Sequence, residues 1–154
     1  MYTGLVHLHN FLRWVVLLLL VVAIVRHLSG MSGRKAFTKG DRKVDSWLML
    51  TANIQFFIGL IQWFVGDWGY KLVQSAGGMG AVMKNAPIRF WVVEHPVGMI
   101  IAIALISIGR GVAKKNIPDA NKHKRAFWLF LVALIVVIAS VPWPGRVGIA
   151  RPLF

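Results

Sequence analysis

The sequence contains no cysteine and only five acidic residues, against eighteen lysines and arginines. Without cysteine the chain cannot form disulfides, zinc–thiolate sites or iron–sulfur clusters, and it cannot attach a c-type haem covalently. Charged residues make up 15% of the chain, whereas hydrophobic residues make up 57%. A soluble fold of this composition would have too few polar residues to cover its surface. The composition therefore indicates a membrane protein, and the length of 154 residues indicates one domain, residues 1–154.

Long apolar runs alternate with short segments that hold most of the charge. We predict four membrane-spanning helices, at residues 5–25, 47–65, 88–109 and 127–141. Each run is long enough, with tilt and interfacial flanks, to cross a hydrocarbon core of about 30 Å. The predicted fold is all-α, a bundle of four transmembrane helices.

The positive charge is concentrated in two of the three connecting segments. Six of the eighteen lysines and arginines lie between the first two runs and six between the last two. The positive-inside rule then places both segments in the cytoplasm and both termini on the outer, periplasmic side of a bacterial inner membrane. The same clusters favour contact with anionic lipids. Nucleic acid is not an expected partner, because no base-stacking platform accompanies the basic residues.

Two histidines lie at matching depth in different predicted spans. His9 lies four to five residues into the first span and His95 at a similar depth in the third, and both spans run in the same direction. Haem iron takes axial ligands from opposite faces, so this arrangement suits bis-histidine ligation of one haem b. His7 points about 200° away from His9 on a helix, so only one of them can face the bundle. Hydrogen bonds to lipid headgroups or backbone carbonyls are the alternative role for the pair.

Two charged residues, Arg13 and Glu94, complete the predicted cofactor site. Arg13 shares a helix face with His9 and lies one turn deeper, where it is placed to neutralise a haem propionate, to pair with Glu94 or to extend to the headgroups. Glu94 is either the partner of an arginine or a proton carrier beside a quinone. Pro96 cannot donate to the backbone carbonyl of Val92, so we expect a kink next to the histidine.

A second histidine pair, His27 and His123, lies near the basic segments. His27 follows His9 by eighteen residues, five helical turns, and therefore lies on the same face about 27 Å away. Both histidines are flanked by cations and lie outside the apolar runs. We expect them to be solvated at the inner interface and do not expect a second haem there.

The second predicted span supplies three polar residues on one face, namely Thr51, Gln55 and Gln62. Polar residues in a span commonly bond a neighbouring helix, which is the expected role here, and a hydrogen bond to a haem edge or a quinone is the alternative. The glycine-rich segment 66–87 that follows is expected to carry a short interfacial helix.

Several short motifs, distributed over nearly the whole chain, support a resemblance to a known group of proteins. They are His9-Asn10-Phe11-Leu12-Arg13-Trp14, Phe37-Thr38-Lys39-Gly40-Asp41, Ile54-Gln55 with Ile58-Gly59-Leu60, Arg89-Phe90-Trp91-Val92-Val93-Glu94-His95, Ile108-Gly109-Arg110, Lys122-His123-Lys124-Arg125 and Val141-Pro142-Trp143-Pro144. With these motifs the chain resembles the small four-helix bacterial membrane proteins described as cytochrome-b-like. The resemblance implies a b-type haem and a role in or beside an electron-transfer chain.

The predicted function is that of a membrane b-type cytochrome that transfers single electrons near the outer face. The chain has little mass outside the bilayer and no hydrolytic, phosphate-binding or carboxylate-metal motif, so we expect a subunit of a larger respiratory or photosynthetic complex rather than a self-contained enzyme. One alternative is a structural accessory subunit without a cofactor. A second is a membrane enzyme that handles quinone and protons through Glu94 and His95.

Overall fold

A computed structural model describes residues 2–150, and within that range the chain contains helices and no strand. The four long helices are α1 (Tyr2–Gly30), α2 (Lys39–Val65), α6 (His95–Gly111) and α7 (Asp119–Ser140), and the three short ones are α3 (Tyr70–Ser75), α4 (Met79–Lys84) and α5 (Ala86–Arg89). A π-helical turn, Phe90–Glu94, joins α5 to α6, and a 3₁₀ turn, Val112–Lys114, follows α6.

Four helical segments are long and apolar enough to cross a membrane. They are Tyr2–Gly30, Lys39–Ser75, Ala86–Lys114 and Asp119–Ser140. Each contains or overlaps one of the predicted apolar runs, which confirms the all-α fold with four potential spans. The side of the membrane on which the termini lie stays a prediction from the charge distribution.

The four long helices form a bundle in which each helix packs against two of the others. Helix α1 packs against α2 and α7, and α6 packs against the same two helices, so α1 and α6 face each other diagonally. Buried residues such as Leu20, Leu48, Ile106 and Phe130 fill the middle of the bundle. Residues on α1 and α6 can therefore meet only in the interior.

Two helices begin well before the apolar runs that predicted them. Helix α2 starts at Lys39 behind a capping box, in which the Thr38 hydroxyl accepts from the Asp41 backbone and the Asp41 carboxylate accepts from Thr38. Helix α7 starts at Asp119 after a proline, and the Asp119 carboxylate accepts from the backbone N–H of Phe37 at 2.9 Å. The capping box thus extends α2 beyond its apolar core, and the bond from Phe37 to Asp119 joins the two basic connecting segments at one end, the basic end of the bundle.

The histidines at the basic end are buried, and the expectation that they are solvated was wrong. His27 is 0% exposed and His123 is 1% exposed, and their Nδ1 atoms lie 3.0 Å apart. The Nε2 of His27 lies 3.0 Å from a carboxylate oxygen of Asp45, which is also fully buried. The ring of Phe37 stacks on His27 at 5.5 Å. This network links α1, α2 and α7, and hydrogen bonds within it offset the cost of removing these polar groups from water.

Replacing Asp45 with alanine tests how much this network stabilises the bundle. The substitution leaves the buried Nε2 of His27 without its acceptor, so we expect the free energy of unfolding to fall by about 1–3 kcal/mol. Asp67→Ala is the matched control, because Asp67 pairs with Lys71 on the surface, where an ion pair contributes less than about 1 kcal/mol. Denaturation in mixed detergent micelles measures both, and equal losses would contradict a stabilising role for the buried network.

Candidate cofactor site

The two predicted ligands, His9 and His95, meet in the interior of the bundle. Their ring centroids lie 6.4 Å apart and the ring planes make an angle of 66°. Both side chains line a cavity of about 560 Å³ between the four long helices, at the end opposite to the basic end. Cavities of roughly 300–1,000 Å³ with mostly apolar linings and a few convergent polar groups are typical of small-molecule and cofactor sites.

The orientation of His95 is fixed by one hydrogen bond. Its Nδ1 lies 2.7 Å from the backbone carbonyl of Ser140, which can only accept, so Nδ1 carries the proton. This is the bond with which a metal-binding histidine commonly sets its tautomer. The other ring nitrogen, Nε2, is thereby left with a lone pair for a ligand in the cavity.

His9 is held by its backbone and by a close packing contact. The side chain of Gln55 donates to the carbonyl oxygen of His9 at 2.8 Å, which ties α1 to α2 at this level. The edge of the imidazole lies against Gly59, where an added Cβ atom would come within 2.9 Å of Cε1. Its Nδ1 is buried and has no hydrogen-bond partner among the described residues. The His9 ring is thus positioned without any hydrogen bond from its Nδ1 to residues 2–150.

A π-helical turn immediately before His95 sets the place of that residue. Pro96 has no N–H, so the carbonyl of Val92 lacks its usual partner in the helix. The indole N–H of Trp63 on α2 donates to this carbonyl at 3.2 Å, and the backbone N–H of His95 bonds back to Phe90. Where a kink was predicted from Pro96, the structure has a widened, π-helical turn, and the carbonyl of Val92 accepts its hydrogen bond from a neighbouring helix.

The structure places Arg13 at the cavity and Glu94 away from it. Arg13 is 9% exposed, lines the cavity and has its guanidinium 5.4 Å from the centre of the Trp14 ring. Glu94 is exposed, and its carboxylate accepts from the Nε of Arg89 at 2.7 Å. The predicted role of Glu94 in cofactor binding has no support from this placement. Its partner is an arginine, as one hypothesis held, but the arginine is Arg89 and the pair lies on the surface.

The polar face of α2 acts mainly between helices, as expected. Gln62 donates to the carbonyl of Leu5 at 2.7 Å, in parallel with the bond from Gln55 to His9. Both glutamines line the cavity, and the Oε1 of Gln55 is buried without a hydrogen-bond partner among residues 2–150. Thr51 is buried on the same helix. The Oε1 of Gln55 is therefore available to accept a hydrogen bond from a bound molecule, which was the alternative role.

Three contributions to the site were not predicted from the sequence. They are the carbonyl of Ser140, the close approach of Gly59 and the indole donor of Trp63. A backbone carbonyl and a glycine have no chemical signature in a sequence, and only the packing of α2 and α7 shows their roles. Trp63 has a signal in retrospect, because Pro96 predicts a free carbonyl that needs a donor.

Comparison with models of known protein families, with curated proteins and with solved structures finds no match. The resemblance to cytochrome-b-like proteins accordingly stays a prediction. Among residues 2–150 no group of three or more histidine, aspartate or glutamate side chains is arranged to hold a metal ion. Three histidines line the cavity, namely His9 and His95, whose rings lie close together, and His7, which is exposed.

Replacing Trp63 with phenylalanine tests the repair of the π-helical turn. The variant keeps an aromatic ring but leaves the buried carbonyl of Val92 without a donor, so we expect the free energy of unfolding to fall by about 1–3 kcal/mol. Trp47→Phe, at an exposed position on the same helix, is the control and should change it by less than about 0.5 kcal/mol. A Trp63→Phe protein as stable as the control would show that the indole bond is dispensable.

Proposed function

We propose that this chain is a membrane-embedded b-type cytochrome that binds one haem between His9 and His95 and transfers single electrons. The observation that carries the proposal is the convergence of these two imidazoles, from diagonally opposite helices, in one internal cavity. Interhelical packing alone does not require two polar rings to meet at the centre of an apolar bundle, and polar groups placed there are costly.

The spacing of the two rings supports ligation of a single iron. Imidazoles bonded to opposite sides of one metal ion at about 2 Å hold their ring centroids roughly 6 Å apart. The centroids of His9 and His95 are 6.4 Å apart. The ring centroids of His27 and His123 are 5.2 Å apart, and these two rings are instead hydrogen-bonded to each other. The spacing of His9 and His95 therefore fits a haem, whereas His27 and His123 are hydrogen-bonded within their own network.

Two protein ligands to one haem favour electron transfer over substrate chemistry. A haem held by both histidines would supply a one-electron redox couple. The chain's own contribution is to fix the two imidazoles, with Ser140 orienting one and Gly59 packing against the other.

The rest of the cavity lining fits both the macrocycle and a propionate of a haem. Its lining is mainly apolar and aromatic, with Trp63, Trp91 and Met99 among the side chains that would contact a macrocycle. Arg13 is the only lysine or arginine among the described residues that line it, and these include no aspartate or glutamate. A buried guanidinium stabilises an anionic group, so we assign to Arg13 the contact with a haem propionate.

An electron carrier of this size needs a donor and an acceptor docked beside it. The described residues form little structure beyond the bundle and its short connecting helices. We therefore propose that the chain works as a subunit of a larger respiratory or photosynthetic complex in the bacterial inner membrane, with the haem near the outer face. The quinone enzyme hypothesis needed Glu94 as well as His95 at the site, and Glu94 lies outside the cavity.

The ligand assignment is tested by His9→Ala and His95→Ala. Each variant should lose the Soret and α bands of a bis-histidine haem. Its haem content should be at least tenfold lower than that of the wild type, because one of the two ligands is removed. Leu8→Ala is the matched control, since Leu8 is next to His9 on α1, is exposed and does not line the cavity, and it should keep the full spectrum. If both single variants kept the wild-type spectrum, the proposed ligands would be wrong, and if the wild type held no haem the accessory-subunit hypothesis would replace the cytochrome.

Gly59→Ala tests whether the close approach of α2 to His9 sets the ligand geometry. The added methyl group would lie 2.9 Å from the His9 ring, so we expect a displaced imidazole, a shifted midpoint potential and several-fold lower haem content. Alanine has the higher helix propensity by about 1 kcal/mol, so such a loss would not come from a weaker helix. Gly80→Ala, where a Cβ meets no atom within 4 Å, is the control. Identical potentials for both variants would contradict the assigned contact.

A further inference from the structure

We propose that an open groove at the basic end of the bundle binds one anionic phospholipid. The groove, of about 560 Å³, lies between the end of α6 and the start of α7. Its cationic members are Lys115, Lys124 and Arg125. It shares no residue with the haem site, so this inference is independent of the proposed function.

The two sides of the groove change from apolar to cationic in the same direction. On one side Ile108 and Val112 are followed by Lys115, at spacings of four and three residues. On the other side Trp128 lies four residues after Lys124 and three after Arg125, so all three share a face of α7. Because α6 runs toward the connecting segment and α7 runs away from it, the cations of both sides lie at the level where the apolar spans end.

The cations of the groove carry charge that no acidic side chain balances. Among the described residues, the ion pairs of this end involve Arg26 with Asp41, His27 with Asp45, and Lys122 with Asp119. None of them includes a cation of the groove, and no acidic residue lines it. Three positive charges close together therefore favour an anion, such as a phosphate diester.

The apolar part of the groove identifies the anion as the headgroup of a lipid. Trp128 is 53% exposed and Ile108 is 55% exposed, directly beside the cations. Trp side chains at the end of a span lie at the level of the glycerol backbone and headgroups, where an amphipathic ring is stable. A free phosphate would use the cations and leave these side chains without a role. A phospholipid uses both, with its acyl chains alongside Ile108 and Trp128.

Native mass spectrometry of the purified chain tests the site with defined lipids. With phosphatidylglycerol, we expect one lipid bound at least tenfold more tightly than phosphatidylcholine. The triple variant K115Q/K124Q/R125Q should lose this preference at least tenfold. The control R34Q/K35Q/K39Q removes the same charge from exposed positions outside the groove and should bind as the wild type does. Equal losses in both variants would show nonspecific attraction to the basic end and overturn the proposal.

Quenching of Trp128 distinguishes a lipid from other anions. Phosphatidylglycerol with brominated acyl chains should quench part of the tryptophan fluorescence, and the W128F variant should lose that part. Glycerol 3-phosphate, added in large excess, should not compete. Competition by glycerol 3-phosphate at similar concentrations would identify a phosphate site, and binding of an acidic peptide in preference to the lipid would identify a protein partner. Either result would overturn the proposal.

Discussion

Within an apolar bundle, a buried polar group without a hydrogen-bond partner is costly, and this constraint shapes the structure around the site. Pro96 removes one backbone bond, and Trp63 supplies the donor that restores it. The π-helical turn that results leads directly into His95, whose own proton goes to the carbonyl of Ser140. Each bond that satisfies a buried group thus also fixes the position of a proposed iron ligand.

The two ends of the bundle use their histidines in opposite ways. At the basic end, His27 is hydrogen-bonded to His123 and to Asp45, and His123 also bonds the carbonyl of Ala36, so their polar atoms are used within the protein. At the other end, His9 and His95 face each other across a cavity, and their ring nitrogens are only partly used by the described residues. This difference is why we propose His9 and His95, and not His27 and His123, as the residues that would hold a haem.

Hydropathy and depth were sufficient to predict the helices and the meeting of His9 with His95, because both depend on where a residue lies along an apolar helix. They failed for His27 and His123, whose neighbours in the sequence are cations but whose neighbours in space are Phe37 and Asp45. They also failed for Glu94, since the widened turn before His95 directs it toward Arg89. These outcomes depend on contacts between helices, which a single sequence does not show.

We propose that one haem iron would be held by both His9 and His95. Electron paramagnetic resonance of the oxidised chain, purified in detergent and combined with a pyridine haemochrome count, tests it most directly. We expect one haem b per chain with a low-spin ferric signal, because two imidazoles impose a strong ligand field. A high-spin signal would mean that one of the axial bonds is missing. A folded chain without haem would contradict the proposal that His9 and His95 hold a haem.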